Sequence, residues 1–309
     1  MGYLDERDMT SAIVASGGGS RGSHAIGAAM YVATTSPFYS EGFGFMTGTS
    51  VGAINTCAWA HFPPSEFSLA ARFALDVWWR EVSSTRSVWK WKIPIPGIRW
   101  APAIWSDCVT DVSPLREILE RSISPEKIRQ SGVQVRWPAT NLRTGELKVF
   151  DQSEPDIVSA VMASSAYPVL FPMVKIGRDF YSDGCLLDMR PISRAIDFGA
   201  DRILCFNGKN PKDLHRSIPM PNNIGRRGKA EIEAMSDRHF LRDVEKCLRV
   251  NDEIDSGRRC RNRYKPVEID FIFPSRELAE GTDFDGESIK RQIDLGYEDA
   301  YRYFQSKLV

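Results

Sequence analysis

The sequence predicts an α/β fold, a three-layer sandwich with a central, mostly parallel sheet flanked by helices, and two observations carry that prediction. An apolar run from Ser11 to Ser16 meets the turn Gly17-Gly18-Gly19-Ser20-Arg21-Gly22, and an alanine-rich segment of helical spacing follows from Ser23 to Thr34. The order then recurs: Gly42 to Thr47 is apolar, Gly48-Thr49-Ser50-Val51-Gly52 is a tight turn, and Ala53 to His61 reads as a small-residue helix. Consecutive strand-turn-helix units lay strands side by side in parallel, because each helix returns the chain across the sheet.

The remaining elements follow from periodicity and punctuation. Helices are expected over Ser65–Arg80, Pro114–Arg121, Asp156–Ser164, Pro191–Gly199, Lys229–Val250 and Gly286–Leu308. Strands are expected over Val133–Thr140, Leu147–Phe150, Ile203–Asn207 and Val267–Phe273, and Pro172 to Phe180 resembles a strand and turn. With 309 residues, 42% of them hydrophobic, the chain can bury one large core, and residues 1–309 are read as a single domain.

Two segments stand apart. Residues 77–105 hold six of the eight tryptophans (Trp78, Trp79, Trp89, Trp91, Trp100, Trp105) among Pro94, Pro96, Gly97 and Pro102, and are expected to form an irregular cap. Their interleaved rings and cations suit either a lipid headgroup boundary or a simple lid over the core. Residues 207–266 carry fifteen lysines and arginines against nine acidic residues, an excess of six, densest at Arg258-Arg259-Cys260-Arg261-Asn262-Arg263. This is expected to be a charged surface excursion, open to reading as a solvated face or as an anion or partner site.

Globally, 40 basic residues balance 40 acidic ones, so no overall field attracts nucleic acid, and none is expected as a partner. Every apolar run stops short of the ~20 residues that span a bilayer, and Met1 to Thr10 is polar rather than signal-like. A cytoplasmic protein with a peripheral membrane surface as a partner is the expectation. Cys57, Cys108, Cys185, Cys205, Cys247 and Cys260 form no C-x-x-C pair, so neither disulfides nor structural zinc are expected.

The chemistry centres on the two turns. A nucleophilic serine needs a sharp strand-to-helix turn, and glycines on either side remove side chains that would clash there, as Gly48 and Gly52 flank Ser50. Alone the pattern also fits an ordinary turn. The loop Gly17–Gly22 supplies the context, since its N–H groups at a helix N-terminus are fixed donors for a developing oxyanion, with Arg21 adding positive charge. The same loop satisfies Gly-x-Gly-x-x-Gly with Glu41 about twenty residues on, which keeps a dinucleotide-binding oxidoreductase open as an alternative. No Gly-Lys-Ser or Gly-Lys-Thr ends the loop, as a phosphate-binding P-loop requires. For a base, His24, His61, His215 and His239 offer no obvious partner, whereas Tyr181-Ser182-Asp183-Gly184 presents a carboxylate in what could equally be a plain turn.

Four blocks in order resemble the patatin-like phospholipase family: Gly-Gly-Gly-Ser-Arg-Gly, Gly-Thr-Ser-Val-Gly, the run from Ala163 to Pro172 (Ala-Ser-Ser-Ala-Tyr-Pro-Val-Leu-Phe-Pro), and Ser182-Asp183-Gly184. The likeness runs from about Ser11 to about Phe206, and the closing Ile289–Phe304 segment with Gly296-Tyr297 is similar too. It implies a patatin-like sandwich and a lipid acyl hydrolase of phospholipase A or lysophospholipase type. The implied dyad is Ser50 as nucleophile and Asp183 as base, with Gly18, Gly19 and Arg21 at the oxyanion. No metal or cofactor is implied. Two departures are visible: Asp183-Gly184-Cys185 stands where the family usually has Asp-Gly-Gly, and Ala25 where it often has histidine, with His24 one place early. A non-catalytic lipid-binding protein on the same fold is the alternative.

Overall fold

The computed structural model describes residues 10–210, 224–258 and 265–308. Its strands are β1 (Ser11–Ala15), β2 (Phe45–Gly48), β3 (Lys90–Trp91), β4 (Thr110–Asp111), β5 (Gln134–Asn141), β6 (Leu147–Phe150), β7 (Val174–Ile176), β8 (Asp179–Asp183), β9 (Arg202–Phe206) and β10 (Glu268–Ile272). The helices are α1 (Gly22–Thr34), α2 (Val51–Trp59), α3 (Phe67–Glu81), α4 (Thr85–Val88), α5 (Ser113–Ser122), α6 (Pro125–Gln130), α7 (Ile157–Ser164), α8 (Ile192–Phe198), α9 (Ile224–Asp255) and α10 (Gly286–Lys307).

The main sheet has eight strands in the order β10-β9-β1-β2-β5-β8-β7, with β6 also paired to β5. From β10 to β5 the strands are parallel, and β6, β7 and β8 pair antiparallel. Strand β1 shows why the fold has three layers. Its side chains alternate between faces, so Ile13 and Ala15 enter a core shared with α1, α2, α3 and α10, whereas Ala12 and Val14 join Ile192, Ala195 and Cys247 on the other face. Covered on both sides, the strand is apolar along its length.

Helix α10 lies against α1 closely enough that their backbones touch. A methyl on Gly27 would overlap the Ile293 carbonyl, and one on Gly296 would overlap the His24 carbonyl. Nearby, His24 Nε2 meets Asp299 Oδ2 at 3.0 Å, both buried. The far end of α10 is anchored on the sheet through Asp270 of β10, which accepts from Tyr39 Oη at 2.6 Å, from Tyr303 Oη at 2.7 Å and from Lys307. Burial raises the Asp270 pKa, but these three donors outweigh it and hold the carboxyl below its usual range.

Residues 77–105 combine short regular elements with an irregular stretch over 92–100. They begin with the last residues of α3, continue through α4, and place Trp91 in the ribbon where β3 pairs antiparallel with β4. Trp78 and Trp89 are buried, while Trp79, Trp100 and Trp105 are 51%, 46% and 68% exposed. The segment therefore both closes the core and faces outward. In the charged excursion α9 runs longer than the expected Lys229–Val250 helix. His215, Cys260 and the basic run Arg259–Arg263 lie outside the described residues, as does the side chain of His239.

The α1–α10 crossing gives a stability test. Gly296→Ala should destabilise the protein by about 1–3 kcal/mol, as forced overpacking does, measured by urea denaturation, whereas Gly145→Ala, with no neighbour around its Cβ position, loses only what a positive φ of 73° costs.

Candidate active site

Strand β1 sits between β2, the next strand along the chain, and β9, a much later one. The sheet thus changes its direction of growth at β1, and the loops beyond the carboxyl ends of β1, β2 and β9 open a crevice there. Asp183 arrives by another route. Strand β5 pairs in parallel with β2 through Gln134–Arg136 and antiparallel with β8 through Ala139–Asn141, so the end of β8 is delivered beside the end of β2.

Ser50 sits at the tip of the β2–α2 turn with φ 58° and ψ −127°. For a residue with a Cβ this is a strained backbone costing of order 1–3 kcal/mol, which persists only when the surroundings impose it. Several contacts do so. Its N–H donates to the Ser164 carbonyl at 3.1 Å, its carbonyl accepts from Ser165 Oγ at 3.0 Å, and Ser164 Oγ is itself fixed on the Pro138 carbonyl at 2.6 Å. The flanking glycines are sterically required: a methyl on Gly48 would overlap the Gly52 carbonyl, and one on Gly52 the Ala15 carbonyl.

Asp183 is fully buried. Its Oδ1 accepts the Cys185 N–H at 2.8 Å, while Oδ2 has no hydrogen-bond partner of standard geometry. Burial pushes the carboxyl pKa up to about 6; the Cys185 N–H and the neighbouring Ser50 side chain pull it part of the way back. The pair stands near contact in a geometry that ligand binding can tighten. Two threonines steady the approach, Thr49 Oγ1 on the Asp188 carbonyl at 2.6 Å and Thr140 Oγ1 on the Asp183 carbonyl at 3.0 Å. Cys185 follows in a 3-10 turn with no positive φ, which explains why cysteine is accepted at this place, while Gly184 leaves no room for a side chain against Pro138.

Across from Ser50, Gly18 (φ 146°) and Gly19 (φ 61°) turn the chain into α1. Among the described residues neither N–H has a hydrogen-bond acceptor, so both remain available as donors. The loop is held from a segment that the sequence reading did not single out. Gly281 accepts the Ser20 N–H at 2.8 Å, Glu280 the Ser20 hydroxyl at 3.0 Å, and Ala279 the Arg21 Nε at 3.1 Å, all through main-chain carbonyls. The signal for this strap was faint: Gly281 is a lone glycine in a loop between β10 and α10. Its carbonyl also occupies the place a Gly19 side chain would need.

The loop and the serine line one cleft, together with Tyr167, Leu170 and Phe171. Arg190 and Lys209 contribute further positive charge, and no carboxylate lines the cleft among the described residues. No described histidine reaches it: His24 is spent on Asp299, and His61 lies against α6, accepting the Ser124 N–H at 2.8 Å. Glu41 precedes β2, at the opposite end of the strands from the glycine loop, where it cannot meet a ribose whose pyrophosphate sits on that loop. A strained hydroxyl, a buried carboxylate and two available N–H donors around one cleft are the parts that acyl transfer requires.

No curated protein matches the chain. Among solved structures, VipD from Legionella pneumophila aligns at 13% identity over 97% of this chain and 67% of its own, with a TM-score of 0.44. The ExoU–SpcU complex of the type III secretion system of Pseudomonas aeruginosa aligns at 17% identity over 77% of this chain, which spans only 51% of that one, with a TM-score of 0.33. The model of the family described as patatin-like phospholipase matches residues 13–196, more than half of the chain, taking in both glycine turns and Asp183. By that match the chain belongs to the patatin-like phospholipase family, a family of lipid hydrolases.

Proposed function

We propose that this protein hydrolyses carboxylic esters of glycerophospholipids or related acyl lipids through an acyl-Ser50 intermediate. In this reading Asp183 takes the Ser50 hydroxyl proton on Oδ2 as Ser50 Oγ attacks the ester carbonyl. Negative charge then grows on the former carbonyl oxygen, stabilised by the Gly18 and Gly19 N–H groups, the α1 dipole and the Arg21 charge. Collapse expels the alcohol, which takes the proton from Asp183, and the carboxylate next activates a water that releases the fatty acid. The observation that carries the reading is the buried Oδ2 of Asp183, lacking a standard partner next to Ser50.

A membrane surface is part of the proposal. The exposed Ile95, Ile98, Trp100 and Trp105 lie beside the β3–β4 ribbon, where Arg99 stacks over Trp91 at 4.7 Å. The ribbon borders the cleft, because Val109 donates to the Val169 carbonyl and Val169, 60% exposed, sits between the cleft residues Tyr167 and Leu170. Amphipathic rings interleaved with cations are the side chains favoured at a headgroup layer. No described helix is long and apolar enough to cross a membrane.

Ser50→Ala should abolish fatty-acid release from mixed phospholipid vesicles, and Asp183→Asn should lower it by about 10²–10⁴, the usual worth of a general base. Both variants should remain folded by circular dichroism, and only the parent should label with a fluorophosphonate probe. Substantial activity in the aspartate variant would remove the dyad.

The raised pKa has two consequences of definite sign. Ionised Asp183 is the active form, so kcat/KM should fall as pH drops through about 6. For stability, a carboxyl whose folded pKa lies above its unfolded value costs stability as pH rises between the two, from 3.8 to about 6, and the full cost of about 3 kcal/mol persists above that. Asp183→Asn should therefore raise the melting temperature at pH ~7 and lose that advantage near pH ~4, read by calorimetry.

Vesicles carrying anionic lipid should blue-shift the tryptophan emission, and Trp105→Ala should weaken vesicle binding while leaving cleavage of a water-soluble ester intact. An unchanged spectrum removes the docking surface from the proposal.

A further inference from the structure

A second cavity meets the cleft at Ser50; Gly19, Ser50, Phe171 and Phe284 line both. The two differ in chemistry. The cleft presents Arg21, Arg190 and Lys209. The second cavity has no ionisable side chain on its described walls, which come from α2 (Val51, Ile54, Ala58), α3 (Ala74, Trp78) and α5 (Leu119).

Besides Ser50, the polar side chains on its walls are Asn55, Ser122 and Ser165; Ser165 Oγ donates to the Ser50 carbonyl, and Asn55, the largest, is satisfied as well. Asn55 Nδ2 donates to the Gly22 carbonyl at 3.0 Å, and its Oδ1 accepts Trp78 Nε1 at 2.9 Å, which leaves the indole as an apolar wall. A phosphate or glycerol hydroxyl placed here would lose its hydration without replacement, whereas a saturated chain gives up nothing. The ester carbonyl must lie at Ser50, at the junction, so the two halves of the substrate are sorted by polarity.

We propose that the chamber between α2, α3 and α5 binds the acyl chain that Ser50 removes, that the basic cleft holds the leaving alcohol, and that Ala58 sets the chain length accepted. The inference rests on the hydrolase reading for its catalytic half. Val51, Ile54 and Ala58 follow one face of α2 away from Ser50 at helical spacing. Eight residues at 1.5 Å each put Ala58 about 12 Å along the axis from the nucleophile. A chain that grows along this face buries one more methylene at a time until it reaches Ala58. Alanine there, with Ala74 of α3 on the same walls, leaves depth that a larger side chain would fill.

The test uses the full-length protein and p-nitrophenyl esters from butyrate to palmitate. In the parent, kcat/KM should climb about fourfold per added methylene, the equivalent of ~0.8 kcal/mol, and then level off. Ala58→Phe should lower the laurate-to-butyrate ratio of kcat/KM at least about tenfold, and Leu119→Ala should move the plateau to longer chains. If Ala58→Phe does not fold, Ala58→Val is read on the same ratio with a smaller expected fall.

A second readout separates this inference from the hydrolase reading. Saturated fatty acids of the same lengths are titrated calorimetrically into the Ser50→Ala protein, alone and with Ala58→Phe added. Affinity that rises with chain length and is cut back by Ala58→Phe supports the chamber even if no ester is cleaved, an outcome that counts against hydrolysis alone. Chain-length profiles identical in parent and Ala58→Phe, with esters cleaved by both, overturn the chamber and leave hydrolysis standing.

Discussion

How near two stretches of main chain can come to one another governs this molecule. The end of β1, the turn after β2 and the start of α2 share one small volume, and Gly48 and Gly52 admit each other and Ala15 only because they lack side chains. That contact forces Ser50 into its left-handed backbone, and the α7 end then locks it there through Ser164 and Ser165. Strain at the serine and order in its neighbours are two descriptions of the same packing.

The carboxylate obeys a different rule. Asp183 is held in a place where water cannot reach it and where one oxygen keeps no standard partner, a position that ordinary stability would select against. The structure tolerates it because the surrounding anchors, Thr140 on the Asp183 carbonyl and the Asp183 N–H on Ala166, hold the backbone and leave the carboxyl oxygen out of the network. A desolvated base next to a hydroxyl is a stronger proton acceptor than the same group in water.

Much of this was legible in the sequence, and the parts that were not share a cause. The two glycine turns announced themselves because local sterics dictate local sequence, and the three-layer sheet followed from the strand-turn-helix repeat. The sharp turn at Ser50 and the glycine loop could be read as strand-to-helix turns from residues alone; nothing in the residues marked Asp183, since an Asp-Gly pair is an ordinary turn until β8 is known to pair with β5, and only family likeness singled it out. The β3–β4 ribbon escaped notice because a strand of two residues has no periodicity. The chamber wall escaped because Ala58, Ala74 and Leu119 are read as core from sequence, and only their arrangement around Ser50 makes them a cavity. Glu280 and Gly281 matter through their carbonyl groups, which every residue type possesses.

That last contact orders events in time. The main-chain latch on Ser20 and Arg21 comes from residues more than 250 positions downstream. A ribosome releases the Ser50 turn and the glycine loop early, and the clasp only much later. During synthesis the two glycine-flanked turns are thus made long before the piece that holds the loop, and the growing polypeptide cannot assemble the finished pocket until Gly281 has been added.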